Sequence, residues 1–175
     1  MLVRMYLGGA FGTDPRAVNA YAASTFYAVD RFASYKQDWG AYYEAGGLVL
    51  TDRYTTSNAV HQASKLPEGE QKPYRDWLFD FEYRLMGLPA PDLVLYLDVP
   101  TELSAALRRL REERTGTHAD IHEADEAYLR RCRASGRQAA DHAGGRRIGC
   151  AAGGRERTPG EIHEEVWTRA AAPAS

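Results

Sequence analysis

The chain has 175 residues, 22 Lys and Arg against 24 Asp and Glu, a net charge of −2, and 44% apolar side chains. That composition excludes a disordered chain, and the length suits one domain with a core of its own. The near-neutral balance and the lack of any apolar run near the ~18–20 residues that span a bilayer predict neither a nucleic-acid nor a membrane partner.

Cys132 and Cys150 are too few for a disulfide framework and lack metal spacing, and Met1 to Ala10 lacks the basic–apolar–small order of a secretory signal. A reduced, cytoplasmic setting is the expectation. In chain order, Leu2–Leu7 reads as helix stopped by Gly8-Gly9. Thr13 or Asp14 as cap and Pro15 in the first turn predict a helix from about Pro15 to Tyr35. Its Val18, Tyr21, Ala22, Thr25, Val29 and Phe32 recur at three- and four-residue steps. A short helix, 39–44, ends at Gly46-Gly47. Leu48-Val49-Leu50, running into Thr51-Asp52-Arg53-Tyr54, predicts a buried parallel strand with a polar carboxyl edge. A helix over 58–66 halts at Pro67, and a longer one over 70–86 closes at Gly87 and Pro89. Asp92–Asp98 is the clearest strand.

A helix over 102–113 follows, broken at Thr115-Gly116-Thr117. Helix returns over 120–142 despite Gly136, whose presence costs roughly 0.5–1 kcal/mol relative to Ala. Arg147–Cys150 is a weak third strand, and Gly153-Gly154 is turn material. Thr158 and Glu161 form a capping box for the last helix, and residues 170–175 read as a frayed tail. Strands alternating with helices predict an α/β fold with a parallel sheet.

In such a sheet, ligands bind beyond the carboxyl ends of the strands. Asp52 and Arg53 there fit a metal–phosphate site, the Arg as a planar fork for phosphate oxygens and the Asp as a Mg²⁺ ligand through water, or equally a local ion pair. The run Arg108-Arg109-Leu110-Arg111-Glu112-Glu113-Arg114 before the Gly/Thr break fits a lid over an anionic substrate, or a solvated helix face. Tyr27 and Arg31, four residues apart on one helix face, can stack on a nucleobase and bond its edge, or form an ordinary surface contact. No G-x-x-x-x-G-K-[ST], G-x-G-x-x-G or G-x-S-x-G occurs, and the five histidines form no ligand pair.

Taken together, these segments resemble the thymidylate kinase (dTMP kinase) family. Ala22–Arg31 looks like its thymidine-binding helix, with Tyr27 at the base-stacking position and Arg31 at the position that bonds the thymine carbonyl. Asp52-Arg53-Tyr54-Thr55-Thr56-Ser57-Asn58 looks like its "DR(Y/H)xxS" motif, in which the Arg holds the monophosphate and the Ser57-Asn58 segment lines the base pocket. His61 stands where many members place Tyr near the sugar. Pro91–Asp98 resembles a later core strand, and the arginine run resembles the lid.

The resemblance implies a P-loop NTPase-like, nucleoside monophosphate kinase fold over residues 1–170. The first strand, P-loop helix and second strand are missing from it, and a disordered tail follows over 171–175. It implies transfer of a phosphoryl group from ATP, with Mg²⁺, to dTMP in the complete form, and a homodimer. Catalytic roles fall to Asp52, Arg53, Arg109, Arg111 and Arg114, with Asp52 as metal ligand. Substrate contacts fall to Tyr27, Arg31, Arg53, Ser57, Asn58 and His61. The 175 residues alone are expected to be inactive for lack of the P-loop, and poorly stable. A non-catalytic nucleotide-binding remnant and a kinase for another nucleoside monophosphate are the alternatives.

Overall fold

The computed structural model describes residues 2–12, 17–115, 126–153 and 155–171. The chain divides into two compact units, Met1–Ala90 and Pro91–Ser175.

The first unit is helical. Helix α1 (Leu2–Leu7) ends at Gly8-Gly9 as expected, with Gly9 at φ +75°. Helix α2 (Ala20–Ser34) starts later than the predicted Pro15. Asn19 is its cap, the side-chain oxygen accepting from the Ala22 N–H at 2.9 Å, so residues 17–19 stay outside the helix. The expected caps Thr13 and Asp14 lie outside the described residues. A π-helical turn, Tyr35–Trp39, carries α2 into α3 (Gly40–Glu44). Gly40 belongs there because a Cβ would sit 2.4 Å from the Tyr35 carbonyl oxygen.

Leu48-Val49-Leu50 does not form the predicted buried strand. It runs as irregular backbone, with Leu48 88% and Leu50 95% exposed. Hydrophobicity alone cannot build a strand where no neighbour accepts its backbone hydrogen bonds.

Helix α4 (Thr55–His61) begins three residues before the expected start, then tightens into a 3₁₀ turn, Ala63–Lys65. Helix α5 (Glu68–Phe79) also starts early, directly after Pro67, and continues as a π-helical turn, Asp80–Leu85. The core of this unit is small: Ala23 and Ala28 on α2, Ala59 on α4 and Ala63 are buried with Tyr74, Leu78 and Leu88. Alanines let the helix backbones approach closely, and a polar network fills the seam between them. The Ser24 and Tyr74 hydroxyls lie 2.5 Å apart, and the Asn58 Nδ2 donates to the Ser24 carbonyl at 3.4 Å. Burial pushes the Tyr74 phenol well above its ordinary range, with the Ser24 bond opposing it.

In the second unit, β1 (Leu95–Asp98) pairs in parallel with β2 (Arg146–Gly149), Leu95 opposite Arg146 and Asp98 opposite Gly149. The expected strands are both present, β1 shorter at its start than Asp92. Between them lie α6 (Thr101–Thr115) and α7 (Glu126–His142). Residues 116–125, which include most of the expected Thr115-Gly116-Thr117 break and the start of the predicted 120–142 helix, lie outside the described residues.

Helix α7 buries Tyr128, Cys132, Ser135 and Ala139 at helical spacing and packs on both strands. Gly136 faces Tyr96 of β1: a Cβ there would stand 2.4 Å from the Tyr96 hydroxyl. The glycine that weakens the helix locally is what lets the strand tyrosine lie against it.

A short hairpin follows, β3 (Ala151–Ala152) antiparallel to β4 (Arg155–Glu156), with Gly153 at φ +58° in its turn. Helix α8 (Pro159–Ala171) has the predicted capping box. The Thr158 N–H donates to Glu161 Oε2 at 2.7 Å, and the Glu161 N–H to Thr158 Oγ1 at 3.3 Å. The parallel two-stranded sheet with flanking helices agrees with the α/β expectation, as part of such a fold. No helix among the described residues is long and apolar enough to cross a membrane.

Candidate functional site

The predicted substrate residues all stand in the first unit. Tyr27, midway along α2, is half-buried, its ring edge-on to Tyr6 of α1 with centroids 6.2 Å apart. Burial raises the Tyr27 phenol above its ordinary range, the neighbouring Tyr6 adds to this, and the Arg53 guanidinium opposes it. The Arg53 guanidinium thus lies near enough for its charge to act on the Tyr27 phenol, although the two come from different elements. Lys65 closes the same corner, its Nζ donating to the Tyr6 hydroxyl at 2.8 Å. Sequence reasoning passed over Tyr6 and Lys65. An aromatic and a lysine on separate short helices carry no shared spacing.

Arg53 is exposed and is the one described non-glycine residue with positive φ, at 72°. Left-handed backbone costs a side-chain-bearing residue roughly 1–2 kcal/mol. The Thr51 hydroxyl donates to the Arg53 carbonyl at 2.9 Å and helps hold the turn. Strain of this kind gathers at ligand-binding turns, and the turn presents a guanidinium to solvent just before α4.

Arg31, one turn after Tyr27, is clamped rather than free. Its Nε donates to Glu82 Oε2 at 2.7 Å and its Nη2 to Glu82 Oε1 at 3.0 Å. The guanidinium also lies 5.3 Å over the Tyr54 ring. Glu82 has no solvent exposure and takes a further hydrogen bond from the Thr55 hydroxyl at 2.7 Å. Glu82 is absent from the sequence-based set. Its signal was available: Tyr74, Leu78 and Glu82 fall at four-residue steps, so a carboxylate stands in the buried stripe of α5 and its π-helical extension.

Asn58 is buried and spends its amide on Ser24, tying α4 to α2. Ser57 and His61 are half-buried on the same helix. The Ser57 N–H donates to the Tyr54 carbonyl, and the His61 carbonyl accepts from Ser64. Arg109, Arg111 and Arg114 belong to the second unit and are exposed on α6. In that unit Asp98, at the carboxyl end of β1, is bound by Arg133 and Arg137 at 2.7 and 2.6 Å. Burial would raise its carboxyl, but the two guanidiniums prevail and hold it below its ordinary value.

Asp52 is exposed, and no group of three His, Cys, Asp or Glu side chains placed to hold a metal ion occurs among the described residues. Mg²⁺ that binds together with nucleotide phosphates needs only one or two protein carboxylates, a part the exposed Asp52 could fill, and no glycine-rich phosphate cradle for ATP occurs in the sequence. What the first unit does hold is an aromatic ring, an oriented guanidinium fork and a strained, exposed arginine. This set suits a planar base carrying a phosphate.

Comparison with known proteins points the same way. The thymidylate kinase family model matches residues 9–148. Two curated relatives named thymidylate kinase, from Mycobacterium tuberculosis strains CDC 1551 / Oshkosh and ATCC 25618 / H37Rv, are each 34% identical over 116 residues. The aligned region covers 62% of this chain and 51% of each relative, so the chain spans about half the length of the curated relatives it matches. With α2, the Arg53 turn, α4, α5 and β1 all inside the matched span, the chain belongs to the thymidylate kinase family.

Proposed function

We propose that this chain carries the acceptor side of a dTMP kinase, binding dTMP and, in the complete form, taking part in its phosphorylation to dTDP by ATP with Mg²⁺. The observation that supports this most is that Tyr27, the Glu82-held Arg31 and the left-handed Arg53 turn belong to one unit, with the Arg53 charge acting on the Tyr27 phenol. Tyr27 stacks on the base, Arg31 bonds a ring carbonyl, and Arg53 takes the monophosphate. Ser57 and His61 line the pocket, and Asn58 supports it by fixing α4. Asp52 stands beside the phosphate or sugar. One or more of Arg109, Arg111 and Arg114 neutralises charge on the transferred group; catalysis of this kind is positioning and charge compensation, with no covalent intermediate. A cytoplasmic homodimer is part of the same reading.

The second reading, nucleotide binding without transfer by these 175 residues, is favoured by the lack of any G-x-x-x-x-G-K-[ST] in the sequence. Calorimetric titration tests both. The chain should bind dTMP in preference to dCMP and dGMP, and Arg53→Ala should weaken that binding by about tenfold or more, as expected for a lost charge-assisted contact. Phosphoryl transfer by this chain alone would overturn the second reading, and the absence of any dTMP binding would overturn the first.

A further inference from the structure

We propose that Glu82 is a positioning residue that sets base selectivity through Arg31; this rests on the proposed pyrimidine-nucleotide site. The side-on pairing uses two of the five guanidinium N–H donors, Nε–H and one on Nη2. No acceptor among the described residues meets Nη1, and the Arg31 side chain keeps 14% of its surface open. The remaining donors have no partner among the described residues, and the side chain is not sealed from solvent.

Three contacts fix the guanidinium. Glu82 holds the fork from one side, the Tyr54 ring lies under its plane, and the Thr55 hydroxyl locks the Glu82 carboxylate itself. A fork held this way presents donors only, so it matches a base with a carbonyl at the facing position. An amino group there sets donor against donor and leaves polar atoms unpaired.

Two features separate this from ordinary helix packing. An ion pair with one partner fully buried and the other mostly so is a poor way to join helices, since apolar residues of similar volume commonly do as well or better. Leu78, one turn earlier in the same stripe, is apolar and fully buried, so Glu82 is the departure from the stripe's chemistry. Glu82 also sits in the π-helical turn Asp80–Leu85, a backbone form that re-aims side chains and is frequent at functional sites.

The test titrates the full chain, Glu82→Gln and Glu82→Asp with dTMP and dCMP, at a temperature where circular dichroism shows them folded. Glu82→Gln places an amide N–H against a guanidinium N–H, and the dTMP-to-dCMP affinity ratio should fall by about tenfold or more. Glu82→Asp, which keeps the charge but withdraws it by one methylene, should fall between Gln and the parent, and it carries the test alone if the Gln variant does not fold. A merely structural role lowers both nucleotides in proportion. An unchanged ratio in the folded variants would overturn the positioning role while leaving the proposed function standing. A parent chain with no preference for dTMP would overturn both.

Discussion

Arg53 and Arg31 illustrate two ways in which one side chain type can be prepared for an anionic, planar ligand. At Arg53 the preparation is in the backbone, at φ 72°. Arg53→Gly relieves roughly 1–2 kcal/mol of left-handed strain but adds about 0.5–1 kcal/mol of unfolded-chain entropy. Urea denaturation should therefore show a stability change between zero and about 1.5 kcal/mol in favour of the variant, while dTMP affinity falls. A clear loss of stability would mean the turn is held by Arg53 side-chain contacts instead. At Arg31 the preparation is a partner. Arg31→Ala leaves the Glu82 carboxylate buried with only the Thr55 hydroxyl, and should cost about 3–5 kcal/mol in the same assay. Arg31→Met with Glu82→Leu should recover most of that stability without recovering nucleotide selectivity.

Two elements of the second unit have stabilities that depend on identifiable contacts. In α7, Gly136→Ala should raise intrinsic helix propensity yet destabilise the protein by about 1–3 kcal/mol, because the new methyl meets the Tyr96 ring and hydroxyl. Combined with Tyr96→Ala, the same change should become neutral or favourable, and a double-mutant cycle in denaturant measures the difference. Helix α8 depends on its cap: Glu161, bonded by Arg155 and by the Thr158 N–H and hydroxyl, is held down at about 2 from an ordinary 4.5.

A carboxyl whose folded value is depressed contributes stability above its unfolded value and loses it as pH falls toward the folded one. The α8 cap should therefore fray between about pH 4.5 and 2, read as lost amide protection at Glu161 and its neighbours. Asp98 follows the same sign, being held below its ordinary 3.8 although burial opposes this. Asp98→Asn should cost about 1.5–3 kcal/mol at neutral pH and flatten the acid limb of the stability curve. A variant with the parent's acid limb would assign that limb to other carboxylates.

For the molecule as a whole, apolar burial is modest. The first unit closes on alanines, Tyr74, Leu78 and Leu88, while Leu48, Leu50, Tyr42 and Leu85 are well exposed. Each large side chain left in solvent forgoes roughly 1.5–3 kcal/mol, an appreciable part of the 5–15 kcal/mol that holds a typical domain. The 175-residue chain should melt below about 45 °C, the low end of the mesophile range, and dTMP should raise the midpoint by mass action. Leu48→Ser with Leu50→Ser should change stability by no more than about 0.5 kcal/mol and improve solubility. A loss of several kcal/mol there would show that these leucines are buried in solution.

Much of the local structure was legible from residues a few positions apart. The Thr158–Glu161 box, the glycine stop after Leu7 and the two apolar runs now paired as β1 and β2 all rest on short-range hydrogen bonding or on local composition. The motifs around Tyr27, Arg31 and Arg53 could be proposed as a site for the same reason, since each lies within one turn of helix or one loop. Pairing across the chain was not legible. Leu48-Val49-Leu50 has the composition of a buried strand, yet whether it becomes one depends on a neighbouring strand to complete its hydrogen bonds, and it lies exposed. Gly136 read as a defect until Tyr96 was placed against it. Glu82 and Arg31 are 51 residues apart, so no local pattern joins them. Only the packing of α5 and its π-helical turn beside α2 and α4 brings the carboxylate to the guanidinium. Burial then forces the two charges to pair, because neither is stable alone away from water.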